Sequence, residues 1–436
     1  MGLWPFLVGS FFGCRGEPAK PAPASSRVKL GIEVLLESRL DLIMGKKVGL
    51  ITNPTGVDGR LRRDIDLLLQ AEGVNLVALY GPEHGVRGNA QAGEYVPFYF
   101  DDKYKVGACQ IPVFSLYGQS LKPEAGMFKK IDEYMRSFDT TASGKIPESA
   151  MIEDVDILVY DIQDVGTRVY TYVATMAYAM PAAAESGIPF VVLDRPNPVN
   201  GVDMEGPVLD YPEYSSFIGL YPVPERHGMT VGELALLIND RFLEKKVDLT
   251  VVAMEGWRRE MGFDETGLLW VIPSPNMPTP ETAIVYPGQV CLEGTNVSEG
   301  RGTTRPFELF GAPWIDGFEL ARELNALRLP GVLFREAWFT PSFSKFSGEV
   351  CGGAQVHVTD RKAYRPFETA LHIVKTVRDR HPDRFEFHAD YFDKVMGTAK
   401  IREGLKAGLS IAEIVRGYEP GLKEFAELRR PYLLYE

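Results

Sequence analysis

A basic surplus, paired cysteines and patterned histidines are all missing from this 436-residue chain. Lys and Arg number 47 against 59 Asp and Glu, a formal charge of −12. A face that grips phosphates needs the opposite balance, so the charge argues against nucleic acid as a partner. It also fits poorly with adsorption to an anionic membrane surface. Cys109, Cys291 and Cys351 are scattered with no CxxC spacing, suggest neither a disulfide framework nor a zinc site, and read as small buried hydrophobes. The six histidines show no H-E-x-x-H or comparable spacing, so no metal is expected. There is no G-x-S-x-G elbow, which disfavours a serine hydrolase or a carbohydrate esterase. Asn53-Pro54-Thr55-Gly56 is neither a G-x-G-x-x-G turn nor a phosphate-binding loop, so no nucleotide, and no cofactor of any kind, is expected. Beyond the first residues, no stretch reaches the ~18 apolar residues of a membrane span.

What is present is an ordinary globular composition, 45% hydrophobic and 24% charged, on a chain long enough for two domains. Residues 1–27 stand apart. Met1 to Gly13 is apolar and uncharged, Cys14 follows, and a Pro/Ala-rich tether leads to Ser26. An apolar segment ending at Gly-Cys resembles a lipoprotein signal, although the positive n-region is missing and Phe11-Phe12 stand where small residues are usual. The expectation is an extracytoplasmic protein, periplasmic or in the cell envelope, with a membrane tether through lipidated Cys14; the alternative is a chance apolar leader.

Residues 28–252 read as alternating strands and helices. Strands are expected at Lys46–Ile51, Val74–Leu79, Ile111–Leu116, Val155–Tyr160, Ile188–Leu193 and Leu249–Met254. Helices are expected at Arg62–Glu72, Tyr170–Ser186 and, behind the Thr230/Glu233 capping box, on to about Phe242. This alternation implies a Rossmann-like, mostly parallel sheet with helices on both faces. Ligands bind outside the carboxyl ends of such strands. Polar clusters fall there: Asn53; Glu83, His84 and Arg87; Gln163, Asp164 and Arg168; Asp194, Arg195 and Asn197. The topology is expected to converge them on one pocket. The sharpest cluster is Gly81-Pro82-Glu83-His84-Gly85-Val86-Arg87-Gly88, which sets an acid, an imidazole and a guanidinium among three glycines after a buried strand. It is either a catalytic loop or a glycine-rich turn whose charges face water. His227, flanked by Arg226 and Gly228, is a second candidate imidazole.

Residues 253–436 look α+β. Pro273 to Thr279, with Asn276, holds too much proline for regular structure. Cys291 to Glu308 places Glu293, Asn296, Glu299 and Arg301 on a glycine-rich loop, and such loops are usually functional or disordered. The flanking Phe307, Phe310 and Trp314 argue against disorder. A strand at Gly353–Val358 and helices at Phe367–Arg378 and Ile411–Tyr418 complete this half. The inventory of acid, amide, hydroxyl and arginine with nearby aromatic rings suits a polar ring such as a sugar. Glycosidic cleavage needs a carboxylic acid to protonate the leaving oxygen, plus a second carboxylate or the substrate's own 2-acetamido oxygen.

Five motifs together resemble the DUF1343 family, whose characterised members are exo-β-N-acetylmuramidases of the NamZ type. They are Gly81 to Gly88, Tyr160 to Arg168, Asp194 to Pro198, Pro273 to Thr279 and Glu293 to Thr304. The resemblance runs from about Gly31 to Leu434. It implies an active-site cleft between a Rossmann-like N-terminal catalytic domain and a C-terminal α+β domain. It also implies release of N-acetylmuramic acid from the non-reducing ends of peptidoglycan fragments. The family's catalytic glutamate falls on Glu83, read as the general acid, with His84 and Asp164 as catalytic companions. Muramyl saccharides are then the partners, and Arg87, Arg168, Arg195 and, first, Arg301 are candidates for reading the lactyl carboxylate. The alternative is a non-catalytic cell-wall sugar-binding lipoprotein using the same cleft.

Overall fold

The computed structural model describes residues 27–106, 109–117, 123, 125–129, 131 and 153–436; the leader, most of the tether, Cys14 and Gly118 lie outside them. The apolar runs become the strands β1 (Lys47–Thr52), β2 (Asn75–Gly81), β4 (Cys109–Ser115), β5 (Ile157–Asp161), β6 (Phe190–Leu193) and β9 (Leu249–Val252). With β3 (Tyr99–Val106) they make one seven-stranded sheet, ordered β3-β4-β2-β1-β5-β6-β9. Every pairing is parallel except that of the edge strand β3 with β4.

Both faces of the sheet are buried, and the period-two alternation of a strand sends successive side chains into opposite cores. Ile157 and Val159 of β5 join one apolar cluster, with Leu35, Leu68 and Val252. Leu158 and Tyr160 join the other, with Met176, Met180 and Leu234. Helices α1 (Gly31–Ser38) and α2 (Asp64–Gln70) supply the first cluster, and α3 (Thr171–Ser186) and α4 (Val231–Arg241) the second. Thr230 caps α4 and Glu233 returns the bond to the Thr230 amide, so the expected capping box is present.

A hairpin of β7 (Glu205–Val208) and β8 (Pro224–Arg226) separates the sheet from the C-terminal half. That half holds α5 (Pro280–Gln289) and an antiparallel sheet ordered β10 (Leu309–Ala312), β12 (Cys351–Val358), β11 (Val332–Phe339). Helices α6 (Gly317–Ala326), α7 (Pro366–Arg380), α8 (Ala389–Met396), α9 (Lys400–Lys406) and α10 (Ile411–Arg429) follow. Helix α10 outruns the expected Tyr418 end and accommodates Pro420 inside it. The second apolar cluster continues without a break from Tyr160 through Val285 and Tyr286 to Phe310 and Phe367, so the two halves share one core. No helix of the described residues is long and apolar enough to cross a membrane.

The chain runs from β1 outward to β2 and β4, then returns to β5 on the other side of β1. Ligands in sheets of this kind sit beyond the carboxyl ends of the strands near such a reversal.

Candidate active site

The loop after β2 doubles back on itself. A side chain at Gly81 would stand 2.9 Å from the Val86 amide and 3.1 Å from the Gly85 Cα, a space only glycine leaves open. His84 and Gly85 both take positive φ, 72° and 76°, which closes the turn. The reversal buries Glu83. One carboxylate oxygen accepts from the Thr171 hydroxyl at 2.7 Å, the other from the Gly93 amide at 3.1 Å. Among the described residues no basic side chain forms an ion pair with it. His84 Nδ1 lies 2.8 Å from the Ala90 carbonyl, a contact in which Nδ1 is the donor.

Glu83 and His84 line a cavity of about 430 Å³. Its walls come from both halves: Tyr117, Tyr170, Thr171, Tyr172 and Phe217 on one side, Asn276, Tyr286, Glu293, Arg301 and Tyr391 on the other. A second lobe of about 390 Å³ shares Asn276, Glu293, Arg301 and Tyr391 and adds Gln91, Glu299, Ser344 and Lys345. A larger cavity, about 680 Å³, lies between β7 and the C-terminal helices, but its lining is mainly aliphatic and brings no convergent set of acids and amides together. Polar convergence makes the two-lobed cleft the candidate site instead.

Arg301 is the centre of the C-terminal wall. Its Nη2 donates to Glu293 at 2.6 Å, its Nε lies 3.4 Å from Glu299, and its guanidinium stands 5.1 Å from the centre of the Phe307 ring. Burial works against its charge, but Glu293 and Glu299 hold its pKa above the ordinary arginine range. Among the described residues these contacts use Nη2 and Nε and not Nη1. Glu293 gives its other oxygen to the Tyr391 hydroxyl at 2.9 Å. Lys345 also reaches the cleft, but its ammonium is spent on the Leu292 and Val297 carbonyls and on Glu299, at 2.7, 3.0 and 3.0 Å. It clamps the loop that carries Arg301.

The cleft tyrosines stay protonated. Burial raises the pKa of Tyr117, with Glu83 adding to it, and burial likewise raises Tyr170, Tyr172 and Tyr286. Tyr391 is raised by burial and then by Glu293. They are hydrogen-bond donors and ring surfaces rather than phenolate nucleophiles.

The expected convergence of four strand-end clusters is only partly realised. Glu83, His84, Asn276, Glu293 and Arg301 line the main lobe and Glu299 the second. Asn53, Arg87, Gln163, Asp164, Arg168, Asp194, Arg195, Asn197, His227 and Asn296 line neither. Asn53 gives its side-chain oxygen to Thr55 and its amide to the Pro273 carbonyl, so the proline-rich segment plugs the end of β1. The Tyr172 hydroxyl bonds the same carbonyl from the cavity side. Gln163 donates to the Pro196 and Asp164 carbonyls, both at 2.7 Å. Arg195 forks onto Asp161 at 2.6 and 2.9 Å, and Arg168 joins Glu225 and the Pro207, Val223 and Val395 carbonyls. Burial pushes Glu225 up to about 7 even so.

The other absent residues are likewise tied into the fold, although Asp164 Oδ1 and His227 Nε2 are buried there without a hydrogen-bond partner among the described residues. Asp194 receives Thr230, Gly232 and Tyr435 at the start of α4, where a carboxylate suits the positive end of a helix. Asn197 binds the Met229 carbonyl and the Val199 amide. Asn296 bridges the Arg384 carbonyl and the Glu386 amide. Arg87 forks onto Asp101. Asp164 and His227 sit 3.8 Å apart in the interior. Burial drives Asp164 up to about 7 and His227 down to about 3, so both are held near neutrality.

Two family models of the exo-β-N-acetylmuramidase NamZ account for most of the chain. The N-terminal one matches residues 48–139 and 138–281, the C-terminal one 284–435. The chain belongs to this family. The two NamZ models meet later than the change of domain expected at 252. Over 410 residues the chain is 50% identical to the peptidoglycan β-N-acetylmuramidase NamZ of Bacillus subtilis (strain 168), covering 94% of this chain and 92% of that protein. Two crystal structures of DUF1343 family proteins from Bacteroides fragilis NCTC 9343 share the fold. One superposes with a TM-score of 0.81 at 39% identity, the other with 0.72 at 31%, each covering 94% of this chain and 99% of its own.

The sequence reading missed Tyr117, Tyr170, Thr171, Tyr172, Phe217, Lys345 and Tyr391. Tyr170-Thr171-Tyr172 was within reach, since it begins a helix directly after a strand-end motif. Lys345 and Tyr391 carried no local signal; long-range packing alone brings them to the cleft.

Proposed function

We propose that the chain is an exo-acting glycoside hydrolase that releases N-acetylmuramic acid from the non-reducing ends of peptidoglycan fragments, with Glu83 as general acid. The observation that carries this is a buried carboxylate without an ion-pair partner among the described residues, opening into a cleft whose far wall presents Arg301. That geometry joins a proton donor to a cation suited to a lactyl carboxylate. Of the four candidate arginines, Arg168 and Arg195 are sealed in the interior and Arg87 lines neither lobe, which favours Arg301. Glu293 is tied by Arg301 and Tyr391 and is a weak nucleophile, so the substrate's own 2-acetamido oxygen is the better second group. The curated relative is an enzyme, which supports turnover over a non-catalytic sugar-binding lipoprotein. The apolar leader and Cys14 support an extracytoplasmic, lipid-tethered protein; retention of a Cys14→Ser variant in the detergent phase would contradict the tether. Hydrolysis of a chromogenic β-glycoside of N-acetylmuramic acid tests the activity, and binding without turnover would favour the sugar-binding alternative.

A further inference from the structure

The cleft is chemically polarised. Arg301 stands beside Glu293 and Tyr391 in one part of the lining, while Phe217 and Tyr117 form a pair of rings in another. Contacts between neighbouring side chains order the lining between them. Phe217 lies 5.4 Å from Tyr117, centre to centre, and Tyr117 stands beside Glu83. Beyond Glu83, through Thr171, the rings of Tyr172, Tyr170 and Tyr286 follow in contact, and Tyr286 feels both Glu293 and Arg301. Along this path of contacts Glu83 therefore falls between Phe217 and Arg301.

Phe217 and Ile218 occupy the tip of a turn closed by Ser216 and Gly219, whose amides bond each other's carbonyls at 2.9 and 3.1 Å. Ser215 braces the same turn by donating to the Leu220 carbonyl at 2.8 Å. The tip is thus held in place, and both apolar side chains are half-buried at the cavity. Phe217 is backed by Tyr178 of α3, the two rings nearly parallel at 6°. A rigid turn that presents a ring to a polar cleft suits the apolar C–H face of an uncharged sugar.

We propose that Tyr117 and Phe217, backed by Tyr178, form the platform that receives the aglycone sugar, with the muramic acid residue lying toward Arg301. The inference rests on the hydrolase reading, because an acid that protonates the glycosidic oxygen must stand where the two sugars join. The aglycone it takes is an uncharged hexosamine.

The test compares two substrates with alkyl leaving groups: the methyl β-glycoside of N-acetylmuramic acid, and the disaccharide in which N-acetylglucosamine is the aglycone. Phe217→Ala should lower kcat/KM for the disaccharide about 5- to 10-fold, the loss of one ring contact, while the methyl glycoside keeps its rate within about twofold. Phe217→Trp should retain both rates. Equal losses on the two substrates would make Phe217 a packing residue and overturn the platform, as would no loss on either. Failure of the wild-type protein on both glycosides would instead sink the hydrolase reading, so the two failures are distinguishable.

Discussion

The ends of β2 and β5 look alike in sequence, yet the fold places them in opposite surroundings. Each follows a buried apolar strand with acids, an arginine and a glycine turn. At β5, Asp161 is consumed by Arg195, Arg168 by Glu225, and Gln163 by carbonyls, with the Pro273 segment close by against Asn53 and Tyr172. At β2, Glu83 accepts from the Thr171 hydroxyl and the Gly93 amide, has the Tyr117 hydroxyl beside it, and faces a cavity shared with the second half. Polar residues at a strand end are therefore not a site in themselves. What separates a site from a strut is whether the group opens into a cavity, as Glu83 does, or is closed into the interior, as Asp161 and Arg168 are.

Attacking the struts tests this contrast first. Arg195→Ala leaves Asp161 as an unpaired buried charge and should cost about 3–5 kcal/mol of stability in denaturant melts. A loss below about 1 kcal/mol would mean the end of β5 is not structural.

Asp164 makes the pH dependence specific. Its folded pKa, about 7, lies above the 3.8 of the unfolded chain. The protonated form is thus favoured by folding, its full stabilisation holds below about pH 4, and it is lost as the pH rises toward 7. Asp164→Asn removes that loss, so the variant should gain a few kcal/mol relative to wild type between pH 4 and pH 8. Parallel stability curves for the two proteins would contradict the assignment.

Arg301→Ala should relax the preference for muramic acid over glucosamine glycosides about 10- to 100-fold, the ~1.5–3 kcal/mol of a charge-assisted pair. An unchanged preference, read as the ratio of kcat/KM values, would hand the carboxylate to another group. Lys345→Met should act in the same direction but more weakly, raising KM a few-fold, because it frees the loop rather than the ligand contact.

The fold was largely legible because apolar runs and strand–helix alternation are local: β1, β2, β5 and β6 and the capped helix α4 stand within a few residues of their expected places. Glu83 was legible for the same reason, being fixed by its own glycine turn. The fates of Arg168, Arg195 and Asn197 were not, since their partners lie at separations of 57, 34 and 32 residues, where only tertiary packing decides who meets whom. Tyr391 shows the converse: it reaches Glu293 across 98 residues and enters the cleft unannounced.

The central claim is that catalysis belongs to the end of β2 and not to the end of β5. Measuring kcat/KM of Glu83→Gln and Asp164→Asn on one chromogenic muramic acid glycoside, with the melting temperature of each, puts it to the test. Glu83→Gln should lose 10²-fold or more while melting like wild type, and Asp164→Asn should stay within about tenfold. Near wild-type turnover by Glu83→Gln, or a collapse of Asp164→Asn without loss of fold, would contradict the account.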